Sequence, residues 1–157
     1  MKVDEITPDI DCSALLPGAQ FSDAWRVAID TGGFDARRAA ERMVGRQPSW
    51  ARALLTLRNI LVAPFGLKRS GAREPAPGGM IGIFPVVSET PERVVAGFND
   101  RHLDFRVVVD VADAGARQMV TATTLVLTHN RLGRMYLAII LPFHRLIVRA
   151  MMRQIAA

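Results

Sequence analysis

With 157 residues, half of them hydrophobic and 22% charged, the chain has enough apolar matter for one compact domain and too little length for two. That balance excludes a disordered chain, and the single cysteine, Cys12, excludes an internal disulfide framework or a Cys-rich zinc site. No apolar run reaches the ~18–20 uninterrupted residues of a membrane span, so no transmembrane segment is expected. The opening Met-Lys-Val-Asp-Glu is not a secretory leader, which predicts a cytoplasmic protein.

Residues 20–30 place Phe21, Trp25, Val27 and Ile29 at period two, the pattern of a half-buried strand, with Asp23 the exception on that face. Thr31-Gly-Gly turns the chain. Asp35 can then cap a helix in which Ala36, Ala39, Ala40, Met43 and Val44 recur at i, i+3, i+4, i+7 and i+8, ending near Gly45. A second amphipathic helix is expected from Pro48-Ser49, with Trp50, Ala53, Leu54, Leu57 and Leu61 as its stripe and Pro64 and Gly66 as its stop. Residues 68–79, KRSGAREPAPGG, read as an exposed loop within a single domain of residues 1–157.

Strand-like segments follow at 80–87 and 93–98, joined by a polar turn containing Pro91. In residues 103–111, Leu103, Phe105, Val107, Val109 and Val111 share one face, and Asp104, Arg106 and Asp110 share the other with Val108. Asp113-Ala-Gly turns the chain into 117–129, a segment rich in β-branched residues. Such short polar connections mean antiparallel hairpins rather than parallel crossovers.

Residues 132–155 read as one long helix. Tyr136, Ile140, Phe143, Ile147 and Met151 form its expected core stripe, and Pro142 removes one internal hydrogen bond near its middle. Leu137, Leu141, Val148 and Met152 widen its apolar area, which favours a further contact such as a homodimer. The charge is uneven along the chain. From Ala114 onward there is no Asp or Glu and six arginines give +6, against −1 for the first 113 residues and +5 in all. Those arginines mostly follow one helix without interleaved aromatics, so a solvated basic face is the favoured reading, and specific nucleic-acid binding is not expected.

The expected architecture is α+β: a curved antiparallel sheet around a long C-terminal helix, with two shorter helices after the first strand. This order resembles the helix-grip fold, the superfamily of START-like lipid-transfer domains, birch-pollen-allergen-like proteins and polyketide cyclases. The strings WARALLTLRNILVAPFGLK, DRHLDFRVVV and THNRLGRMYLAIILPFHRLIVRAMMR are similar to a bacterial domain-of-unknown-function family associated with that superfamily, over residues 11–153. The resemblance implies six or seven strands and a cavity between sheet and long helix. Five strands are legible, so either 117–129 bends and counts twice or the sheet is truncated.

Polar candidates for such a cavity are few. His144 lies on the flank of the helical stripe, where a hydrogen-bonded structural histidine is the favoured alternative to a ligand contact. His129 ends a strand, and either caps the turn into the helix or reaches a ligand. Asp104 and Arg106 project from the same strand face. Toward a cavity they would orient a polar head group; toward solvent they are a surface ion pair, which the alternation favours. Trp50, Arg58 and Tyr136 complete the candidate ligand-binding set. No nucleophile elbow, phosphate loop, dinucleotide fingerprint or metal-ligand spacing is present, so neither a metal nor a cofactor is expected. The sequence therefore predicts a non-enzymatic binder of an apolar small molecule or lipid. The alternatives are a cyclase- or hydrolase-like enzyme in the same cavity, or a protein-interaction module acting through the C-terminal helix.

Overall fold

The computed structural model describes residues 2–30, 33–45, 79–82, 84–99 and 101–155. The expected helix from Pro48, the loop at 68–79 for all but its last residue, and the candidates Trp50 and Arg58 lie outside the described residues. In chain order the elements are β1 (Val3–Ile6), α1 (Cys12–Leu15), β2 (Phe21–Ile29), α2 (Ala36–Gly45), β3 (Met80–Ile81), β4 (Phe84–Glu89), β5 (Arg93–Asn99), β6 (Leu103–Ala114), β7 (Arg117–Thr128) and α3 (Arg131–Ile155). The strands form one antiparallel sheet in the order β1-β2-β7-β6-β5-β4-β3, and α2 and α3 pack on one face of it. This is the α+β, helix-grip-like architecture expected from the order of elements.

The strand count corrects the expectation of five. β7 runs unbroken for 12 residues and the sheet is not truncated. The two extra strands come from elsewhere. β1 pairs with β2 from Val3↔Val27 to Ile6↔Ala24, a stretch too short and too charged to show alternation. The segment expected as one strand at 80–87 is a hairpin, because Gly82 takes φ +59 between β3 and β4 and reverses the chain. The β6–β7 hairpin is built the same way: Ala114 faces Arg117 across a two-residue turn in which Gly115 adopts φ +72.

Register sorts the side chains into two faces. Asp23, Trp25 and Val27 of β2 lie opposite Thr124, Ala122 and Val120 of β7, and these in turn face Val107, Val109 and Val111 of β6. This is the face that α2 and α3 cover. On the other face Arg93 of β5 sits opposite Asp110 and holds it with two hydrogen bonds, of 2.6 and 3.3 Å. Asp35 caps α2 as expected, accepting from the backbone N–H of Arg38 at 2.7 Å, and Ala36, Ala39, Ala40 and Met43 are buried.

Of the expected stripe on α3, Phe143 is the one member that the structure turns outward. Gly133, Val148, Met151, Met152 and Ile155 are buried, Tyr136, Ile140 and Ile147 are half-buried, and Phe143 is 42% exposed. His144 adjoins Phe143 on the helix and faces the sheet. Its side chain is drawn onto the sheet by Asp23, and the residue before it must then point about 100° around the helix. Met135, Ile139 and Leu146 join Phe143 on the exposed side. By length and composition α3 is long and apolar enough to cross a membrane, which the count of uninterrupted apolar residues does not register, and its C-terminal third carries Val148, Met151, Met152 and Ile155 into the core.

The first turn of α3 is held by backbone proximity. Asn130 is its N-cap, accepting from the Gly133 N–H at 2.9 Å, while its amide reaches His102 Nδ1 at 2.7 Å. A Cβ on Gly133 would collide with the His102 carbonyl oxygen. At the other end Arg42 of α2 donates to the Ile155 carbonyl at 3.1 Å, which ties the two helices together.

Candidate functional site

Between the sheet and the two helices lies a cavity of about 120 Å³. α2 contributes Ala40 and Met43, the β3–β4 hairpin Ile81 and Phe84, β5 Val94 and Ala96, and β6 Phe105, Val107 and Val109. Ala122 and Thr124 of β7 and His144, Ile147, Val148 and Met151 of α3 close it. Phe84, Phe98 and Phe105 stack at centroid distances of 5.2 to 6.2 Å and stiffen the wall on the β4–β5–β6 side. Among the described residues, Thr124 and His144 are the polar members of the lining.

Behind those two sits Asp23, 6% exposed. Its carboxylate receives three donors. Trp25, two residues along the strand and so on the same face, gives its indole N–H to Oδ2 at 3.0 Å. Thr124, directly across the β2–β7 pair, gives its hydroxyl. His144 brings Nε2 to 3.1 Å from Oδ2 and 3.3 Å from Oδ1. Burial alone pushes the Asp23 carboxyl up. The hydrogen bond and positive potential of His144, with the Trp25 and Thr124 hydrogen bonds, outweigh it and hold the group below its ordinary value.

The His144 ring is therefore held by two contacts, and its helix by a third nearby. Asp23 takes Nε2, Phe21 meets the ring edge-on at 5.9 Å, and the neighbouring Arg145 anchors the helix to β1 through Glu5 at 2.8 Å. Nδ1 makes no hydrogen bond among the described residues. The arrangement is an imidazole, oriented by a buried carboxylate, on the wall of an apolar cavity. It can accept or donate one hydrogen bond, and it can exchange a proton.

The structure separates the other candidates from this site. Asp104 and Arg106 alternate with Phe105 and Val107, so they occupy the opposite sheet face and do not line the cavity. Neither is a bare surface pair. Asp104 accepts from His129 Nε2 at 2.9 Å, and Arg106 donates to the carbonyls of Phe98 and Phe105 and to Asn99 Oδ1. His129 is thereby committed to the end of the sheet. Tyr136 is half-buried on α3, two turns before His144, and is not part of the lining. Of the candidate residues described, His144 alone reaches the cavity. Asp23 and Thr124 were not among the candidates; the signal for Asp23 was a carboxylate on the inward face of an otherwise apolar strand. Among the described residues no three His, Cys, Asp or Glu side chains converge as a metal site would require.

A family model described as "Protein of unknown function (DUF2867)" matches residues 15–151. No curated protein matches the chain. Among solved structures, one similar chain is the di-domain ARO/CYC BexL from the BE-7585A biosynthetic pathway, at 15% identity and a TM-score of 0.43, covering 91% of this chain. The alignment spans 52% of BexL, so this chain corresponds to about half of that protein's length. Another is CalU16 from Micromonospora echinospora, at 12% identity and a TM-score of 0.33, covering 86% of this chain and 80% of the other.

Proposed function

The chain belongs to the DUF2867 family, and we propose that its cavity binds a small, mostly apolar molecule of about one ring, with His144 as the polar anchor. The observation that carries this reading is the pairing of an almost wholly apolar lining with one oriented imidazole. Apolar walls gain ~25 cal/mol per Å² of ligand surface removed from water, while a single polar group sets orientation. Size supports a compact ligand. The volume of about 120 Å³ is close to that of an engineered cavity of ~150 Å³ known to hold benzene. It is below the ~300 Å³ at which drug-sized pockets begin, so the reading narrows from lipid to small molecule. Helix-grip superfamily membership, as the sequence strings suggest, is part of the same proposal.

Native mass spectrometry of the protein as purified, followed by solvent extraction, tests the reading. The expected result is an adduct of small-molecule mass, or a rise in melting temperature with millimolar benzene, toluene or indole. No adduct and no shift with any of the three would reject it.

The Asp23–His144 pair supports a second reading, in which the same site performs acid–base chemistry on its ligand. An imidazole backed by a carboxylate is a suitable proton acceptor at neutral pH. Solvent deuterium exchange at the α-carbon of a small enolisable ketone, faster with the protein than with His144→Ala, would favour that reading over simple binding.

A further inference from the structure

We infer that the ligand bears a hydroxyl donor on its ring and gives that proton in a hydrogen bond to Nδ1 of His144. The inference rests on the binding reading above and narrows it to phenol-like and enol-like molecules.

The argument is one of donors and acceptors. An ionised carboxylate can only accept. Asp23 lies within hydrogen-bonding distance of Trp25 Nε1 and His144 Nε2, so both groups must present hydrogen to it. Nε2 therefore carries the proton, and in the neutral imidazole Nδ1 is left as a bare lone pair. That lone pair has no partner among the described residues. Among the described residues, the oriented polar group that His144 offers to a ligand in this cavity is thus an acceptor. A ring with an acidic hydroxyl satisfies it, a plain hydrocarbon leaves it unmet, and an ether or ketone places lone pair against lone pair. A single neutral hydrogen bond of this kind corresponds to about a tenfold preference.

The test is isothermal titration calorimetry of the whole chain with phenol, toluene and anisole at mildly alkaline pH. The expected order is phenol tighter than toluene by about tenfold, with anisole weakest. In His144→Phe the phenol preference over toluene should vanish. A second readout is independent of any variant's folding: the His144 Nδ1 nitrogen resonance should move on addition of phenol and stay put on addition of toluene. Toluene binding with no advantage for phenol, or a still Nδ1 resonance, overturns the inference and leaves the binding reading standing. Failure of all three probes to bind overturns the binding reading and the inference with it.

Discussion

Removal of the Asp23 carboxylate should cost more than any surface substitution and should act through His144. In Asp23→Ala the Trp25 indole N–H, on a residue 5% exposed, loses its acceptor and stays away from water. An unsatisfied buried donor costs about 1–3 kcal/mol. The Thr124 hydroxyl can turn to another acceptor, so its loss is nearer ~1 kcal/mol. His144, with a side chain 17% exposed, recovers part of its lost bond from solvent and adds about 1 kcal/mol. Relief of the carboxylate's own desolvation offsets part of this. The expected destabilisation is ~2–4 kcal/mol, read from urea midpoints at constant m-value. A double-mutant cycle with His144→Ala should give a coupling of about 1–2 kcal/mol, since the two side chains touch. A loss below ~1 kcal/mol, or a coupling within ~0.3 kcal/mol of zero, would refute the claim that the two residues form one unit.

Three further expectations follow from particular contacts. Gly97→Ala and Gly133→Ala should each destabilise by about 3 kcal/mol or more, because a Cβ would meet the backbone carbonyl oxygen of Phe105 or His102, which cannot move aside as a side chain could; melting temperatures near wild type would show that the strand or helix is seated otherwise. Phe143→Ala should cost under ~1 kcal/mol, given its exposure, whereas Met152→Ala, fully buried, should cost ~2–5 kcal/mol, and the reverse order in denaturant melts would restore the stripe expected from periodicity. As its folded-state carboxyl lies below the ordinary 3.8, Asp23 adds stability that is fully present above that value and is lost as pH falls through the lower folded value. Wild type should therefore lose stability more steeply below pH ~4 than Asp23→Asn, and parallel curves would contradict the sign.

Most of the fold was legible because it depends on local pattern. Period-two runs marked β2 and β6, β-branched richness marked β7, the Ala36–Ala39–Ala40–Met43 spacing marked α2, and the apolar length of residues 132–155 marked α3. β1 and the β3–β4 hairpin escaped for a local reason as well. Four residues with two charges show no period, and one glycine at positive φ turns a continuous run of strand-like residues back on itself.

The site could not be read in the same way, because its two halves lie 121 residues apart. The sequence by itself determined that Asp23 would face inward from an apolar strand, and that His144 would lie on the flank of a helix stripe. Only the tertiary structure decided that these two are partners, that Thr124 completes the set from the neighbouring strand, and that Asp104 and Arg106 face the other way. The reason is physical. Helical periodicity ranks faces by hydrophobicity, whereas a buried carboxylate also favours a hydrogen-bond donor opposite it. His144 stands in the cavity wall, and Phe143, next to it on the helix, faces outward.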